Sequence, residues 1–235
     1  MNAADRPQTT RTDVTTIAGV VLDMDGLMLD TEPIWRDAWQ RAARELGFDL
    51  TDAMYVDFIG LPGPACEDLL IRFFSEAFPM DAFRLRRRVH WDAIVEDRGI
   101  PHKSGLPEFL DAVDALGLPK AVATSTVTEI ARLNLERAGL AGRFPVIVGG
   151  EQVTRGKPEP DIYLEAARRL QVPPSACLAL EDSNVGIVAA SRAGMVSLLI
   201  PDILEPSADA RAAAHAELAS LLDARAWLAF TAASR

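Results

Sequence analysis

From about residue 105 onward, short apolar runs alternate with segments whose apolar residues recur every three to four positions. The runs at 120–124, 145–148, 177–180 and 196–200 predict short buried strands. Between them, 106–116, 129–138, 161–170 and 185–193 carry the helical period, and Gly117, Gly139 and Gly194 stop three of these helices. Strands separated by helices of about ten residues predict right-handed βαβ units and a parallel sheet covered on both faces. The alanine-rich stretch 208–230 reads as one more helix, packing Leu218, Leu221, Leu222, Trp227 and Leu228 onto the core.

The start of the chain breaks this rhythm. An apolar run at 17–22 predicts the first strand, yet the next helix–strand repeat begins near Leu106, about 80 residues later, where a crossover needs about a dozen. The intervening segment is therefore an insertion, and its pattern is helical. Asp30 or Thr31 can cap a helix running through Glu45, with Trp35, Ala38, Trp39, Ala42 and Leu46 at the helical period and Gly47 as its stop. Further helical pieces are expected at 66–74 and 82–95, and Pro101 and Gly105 bracket the return. The expected fold is α/β: a Rossmann-like parallel sheet core at 17–31 and 102–235, a small α-helical cap domain at 32–101, and a disordered extension at 1–16.

Composition narrows the class. The 235 residues are 49% hydrophobic and 25% charged, with a formal net charge of −10, which disfavours nucleic acid and anionic membrane as partners. No apolar run approaches the ~18 residues of a membrane span, and residues 1–16 lack the apolar stretch of a secretory signal. A cytoplasmic monomer is expected. Cys66 and Cys177 read as buried reduced thiols, although one disulfide stays open, and His90, His102 and His215 have no zinc spacing.

Ligands of an open parallel sheet bind beyond the carboxyl ends of its strands, and those ends carry the polar residues. The first strand runs into Asp23 and Asp25, the second into Thr124, Ser125 and Thr126, the third into a loop bearing Lys157, and the fourth into Glu181, Asp182 and Ser183. Buried carboxylates cost several kcal/mol unless paired or bound to a metal. Together these groups suit phosphoryl transfer: Asp23 attacks phosphorus, Asp25 moves protons, and Thr124 and Lys157 hold the transferring oxygens. Mg2+ would sit among the carboxylates, with Asp182 and neighbouring Glu181 completing its site. Each residue also has a plainer role. Asp30 and Thr31 fit a helix cap or hinge, Thr124 a helix cap, Lys157 a solvated loop, and Glu181-Asp182-Ser183 an acidic helix start. Arg84, Arg86, Arg87 and Arg88 fit a solvated helix face better than a substrate clamp, and Trp35 and Trp39 fit a core.

The motifs Asp23-Met24-Asp25-Gly26, Thr124-Ser125, Gly156-Lys157-Pro158-Glu159-Pro160 and Glu181-Asp182-Ser183-Asn184-Val185-Gly186 stand in order over about 17–200. In them the chain resembles haloacid dehalogenase superfamily phosphatases with a small helical cap, near the β-phosphoglucomutase and sugar-phosphatase subgroup. The resemblance implies an Mg2+-dependent hydrolase of a small phosphorylated metabolite. In it Asp23 is the nucleophile, Asp25 the acid/base and a metal ligand through its carbonyl, and Asp182 a metal ligand. Thr124, Ser125 and Lys157 would bind phosphate, and Asp23 and Glu181 would lie in or beside the metal's shell. The mutases of this group carry a histidine about twelve residues after the nucleophile, where this chain has Trp35. Hydrolysis is thereby favoured, with a phosphosugar mutase as the alternative.

Other readings fail on particular residues. Gly150 to Lys157 is one residue too long for a P-loop, and Pro158 stands where a metal-binding hydroxyl is needed. Metal-free dehalogenation leaves Glu181 and Asp182 without a task, and a non-catalytic binding protein would not need every reactive residue type. Specificity is expected in the loop Ile59-Gly60-Leu61-Pro62-Gly63, which has no cation for a second phosphate.

Overall fold

The computed structural model describes residues 16–61 and 63–233. Residues 1–15 of the expected extension, and Pro62 of the expected specificity loop, lie outside the described residues. Six parallel strands form one sheet: β1 (Gly19–Leu22), β2 (Lys120–Ala123), β3 (Val146–Val148), β4 (Cys177–Glu181), β5 (Val196–Leu199) and β6 (Ala216–Glu217), in the order β3-β2-β1-β4-β5-β6. The chain thus steps outward from β1 to β3, then returns to lay β4 on the other side of β1. That reversal opens a crevice beyond the ends of β1 and β4.

Side chains alternate across the sheet, as a period of two requires. Val20, Leu22, Val122, Leu178, Leu180 and Leu198 face one way, onto α5 (Leu106–Ala115), α6 (Thr128–Arg137) and α10 (Leu221–Ala233). Val21, Ala121, Ala123, Cys177 and Ala179 face the other, onto α7 (Asp161–Leu170) and α8 (Asn184–Arg192). Cys66 and Cys177 are buried free thiols in separate clusters, so the disulfide alternative falls.

Between β1 and α5 stand four helices: α1 (Glu32–Glu45), α2 (Asp52–Val56), α3 (Gly63–Phe74) and α4 (Met80–Arg98). The short α2 was not expected; Thr51 caps it by accepting from Met54 N–H at 3.3 Å. Ile34 and Ala38 of α1 pack with Trp91, Ile94 and Val95 of α4 against the main core. The far half has its own aromatic core of Trp39, Tyr55, Phe58, Phe78 and Phe83. Trp35 joins the two, stacked on Trp91 with centroids 4.0 Å apart. The α4 arginines form a paired outer face: Arg84 meets Glu67 and Asp81, Arg86 meets Glu45, Arg88 meets Asp92, and Arg87 lies over the Trp39 ring.

The C-terminal stretch corrects the expectation of one helix over 208–230. It is α9 (Ala208–Ala213), then β6, then α10, whose first turn is capped by Ser220. Alanine-rich sequence favours helix locally, but the open edge of β5 wins: His215 N–H donates to Ser197 C=O and Leu218 N–H to Leu199 C=O. Leu221 and Leu228 are buried and Leu218 and Trp227 half-buried, as expected, whereas Leu222 is 43% exposed. Among the described residues no helix is long and apolar enough to cross a membrane.

Candidate active site

Asp23 lies at the end of β1, its N–H bonded to Leu180 C=O of β4 at 3.1 Å, so it stands at the crevice. Met24 beside it is fully buried, and the alternation sends Asp23 and Asp25 toward the same side. Gly26 then turns the chain at φ +85°, a conformation costly for other residues, and a β-carbon there would collide with the Asp182 carboxylate. Both oxygens of Asp25 are occupied: Thr31 Oγ1 donates to Oδ1 at 3.1 Å and Thr126 Oγ1 to Oδ2 at 2.9 Å. Thr31 therefore departs from the cap reading. It occupies the cap position of α1, yet its hydroxyl makes no cap bond and turns to Asp25 instead.

Lys157 is not a solvated loop lysine. Its side chain is 5% exposed, and its ammonium bridges Asp23 Oδ1 and Glu181 Oε1, the latter at 2.6 Å. Glu181 is fully buried and saturated. Oε1 also accepts from Tyr163 Oη at 2.6 Å, and Oε2 accepts from the N–H groups of Asp182 and Ser183 and from Ser183 Oγ. This packing needs Gly186, because a β-carbon there would run into the Glu181 carboxylate. Ser183 caps α8 by accepting from Gly186 N–H at 3.1 Å, so the acidic helix start is real and part of the same cluster.

Thr124 is buried, its hydroxyl accepting from Thr126 N–H at 3.1 Å, while α6 starts only at Thr128. Ser125 is exposed at the same strand end. The structure thus gathers Asp23, Asp25, Thr124, Lys157, Glu181 and Asp182 at one edge of the sheet.

Ligand atoms of Asp23, Glu181 and Asp182 lie within 4.8 Å of one another. Burial pushes the Asp23 carboxyl up to about 7; Lys157 opposes this, and Glu181 adds to it. Burial, with Glu181 and Asp23, raises Asp182 well above the usual carboxylate range. Burial would lower Lys157, but Asp23 and Glu181 outweigh it and hold the ammonium above its ordinary value. Three carboxyl groups against one ammonium leave a deficit of positive charge, and the donors are all oxygen, which fits a hard divalent cation.

Two residues of this network escaped the sequence reading, and a third, Thr126, was placed at its strand end without a role. Tyr163 hides on the apolar face of α7 without any signal. Lys103, in the return from the insertion, bonds Asp202 at 2.5 Å and lies 3.7 Å from Asp30.

Residues 20–200 match the family model of haloacid dehalogenase-like hydrolases. The chain is 34% identical to a phosphorylated carbohydrates phosphatase of Thermotoga maritima over 181 residues, 75% of this chain and 81% of the relative. A solved Thermotoga maritima structure named for β-phosphoglucomutase superposes with a TM-score of 0.80 at 29% identity, covering 91% of this chain and 99% of the other. A haloacid dehalogenase family hydrolase of Deinococcus radiodurans, solved with bound phosphate and sodium, gives a TM-score of 0.77 at 27% identity, covering 92% and 96%. A match across most of the chain, together with reactive residue types at one sheet edge, shows that the chain belongs to the haloacid dehalogenase-like hydrolase family.

Proposed function

We propose that the chain is an Mg2+-dependent phosphatase of small phosphorylated metabolites that works through an aspartyl-phosphate on Asp23. The carrying observation is the arrangement of Asp23 beside Lys157, with Asp25 held by two hydroxyl donors two residues on. An Asp23 oxygen attacks phosphorus while the bond to the leaving oxygen breaks, and Asp25 gives that oxygen its proton. Asp25, now ionised, takes a proton from water. The water oxygen attacks phosphorus, the Asp23–phosphorus bond breaks, and phosphate leaves. Thr31 and Thr126 orient Asp25 through both steps. Thr124, Ser125 and Lys157 would hold phosphate oxygens, with Glu181 fixing Lys157. Asp23 and Asp182 would hold Mg2+, with the Asp25 carbonyl as the resemblance implies; the bound cation supplies charge to offset the phosphate's.

Residues 32–101 act in this reading as a cap over the crevice. The phosphorylated-carbohydrate phosphatase relative supports a sugar or polyol monophosphate as substrate. The loop at 59–63 carries no cationic side chain to hold a second phosphate, which supports a substrate with one. A phosphosugar mutase is the second reading, favoured by the structural neighbour named for that activity. Trp35, stacked on Trp91, offers no acid/base there and argues for water as the acceptor. Phosphate release from sugar, polyol and nucleoside monophosphates, with Mg2+ and with a chelator, tests the assignment. Release that persists in chelator overturns the metal role, and predominant isomer formation from hexose phosphates overturns hydrolysis.

A further inference from the structure

The loop between β5 and α9 has no part in the chemistry above, yet it reaches from the carboxylates to the helical insertion. Its base is tied down: Ile200 N–H donates to Glu181 C=O at 2.7 Å, and Asp202 bonds Lys103. Its far end is fixed by Ser207 N–H on Asn184 Oδ1 at 2.8 Å and by Arg211 on Pro206 C=O at 2.8 Å. Asp202 lies beside Gly26, against which Asp182 also packs. Two residues on, Leu204 meets the insertion, its Cδ1 lying 3.1 Å from where a β-carbon of Gly60 would stand. Aliphatic side chains are exposed on both sides of this contact: Ile203 and Leu204 on the sheet side, Val56 and Leu61 on the insertion.

We infer that this loop is the fixed wall of the crevice mouth and that Leu204, set against Gly60, is a specificity-determining residue that limits the bulk of the leaving group. The inference rests on the phosphatase reading. An exposed leucine held on an anchored loop against a glycine makes an apolar contact that depends on the size of its side chain. Phosphate is gripped at the strand ends on the floor of the crevice, so the group it leaves behind has to extend toward this mouth. Apolar contact selects by fit, and one or two methylene groups change it several-fold.

The test compares wild type, Leu204→Ala and the volume-conserving Leu204→Met on phosphate esters of glycerol, a hexitol and naphthol. In Leu204→Ala, kcat/KM for the naphthyl ester relative to the glycerol ester should rise about fivefold, with inhibition by inorganic phosphate unchanged. Leu204→Met should keep the wild-type ratio. Amide hydrogen exchange over 57–61 should quicken in Leu204→Ala, reporting the lost contact without recourse to turnover. An unchanged ratio, or unchanged exchange, in Leu204→Ala overturns the inference and leaves the phosphatase reading standing. Failure of the wild type to release phosphate from every ester overturns both.

Discussion

The carboxyl edge of the sheet and the far half of the helical insertion are both buried, but they are held together by different forces. At the sheet edge polar bonds hold the charged groups: Asp23 and Glu181 share one ammonium, Glu181 takes a second donor from Tyr163, and Asp25 takes two hydroxyls. In the insertion the contacts are ring edges on ring faces, with Trp39 edge-on to Tyr55, Phe58 and Phe83 at 5.3–5.9 Å. Charge networks in a low-dielectric site depend on position to within a fraction of an ångström. Aromatic packing is softer and absorbs substitution by rearranging. In the proposed function the first region would therefore fix the reaction, and the second would be the part that can be retuned to new substrates.

That contrast is broken most severely at Asp23. Asp23→Asn keeps the shape and removes the proposed nucleophile, and turnover should fall at least about a thousandfold. Folding should survive, since Glu181 still neutralises Lys157. Phosphate release beside a thermal melt checks this, and appreciable turnover would remove Asp23 from the proposed role. Thr126→Val should act on the same network more gently. It takes one donor from Asp25 and should lower kcat about tenfold with KM nearly unchanged. A change confined to KM would mean that Thr126 contacts substrate rather than orienting Asp25.

In the insertion the expected pattern reverses. Phe83 is fully buried between Trp39 and Phe78. Phe83→Leu should cost about 1–2 kcal/mol of stability, read by denaturant titration. It should shift KM for bulky esters about threefold, while inhibition by inorganic phosphate stays as in wild type. Loss of phosphate affinity in this variant would show that the two regions are not separable.

The sequence disclosed these two regions unequally. Asp23, Asp25 and Asp182 could be placed from the sequence because a strand end and a parallel sheet together dictate where such residues fall, whereas Lys157, in the loop after β3, was carried by the Gly156-Lys157-Pro158 motif. Most of their hydrogen-bond partners could not. Thr31 looked like a helix cap because capping and carboxylate binding use the same hydroxyl, and only the turn at Gly26 brings Asp25 within its reach. Tyr163 reads as one more apolar residue of α7, since its hydroxyl's partner is 18 positions away. The breakdown of 208–230 into α9, β6 and α10 was hidden for a related reason: alanine propensity is local, whereas the β5 edge that recruits β6 is a tertiary fact.

The smallest effect lies where the two regions meet. The linkers run side by side, with Asp30 N–H on Pro101 C=O and Lys103 N–H on Met28 C=O, each at 2.9 Å. The Lys103 ammonium reaches from this joint to Asp202, and its charge is also felt by Asp30 and Asp182. Lys103→Met deletes that ammonium and leaves Asp202 facing other acids. A double-mutant cycle with Asp202→Asn should give a coupling of about 1 kcal/mol, the value of a half-buried ion pair. The local field should also become more negative, so the Mg2+ concentration for half-maximal activity should fall about twofold. A rise would show that Lys103 holds the metal-side carboxylates in place rather than merely offsetting their charge. No change in either quantity would make the joint mechanically independent of the site, and the contrast between the two regions would then extend through the linker itself.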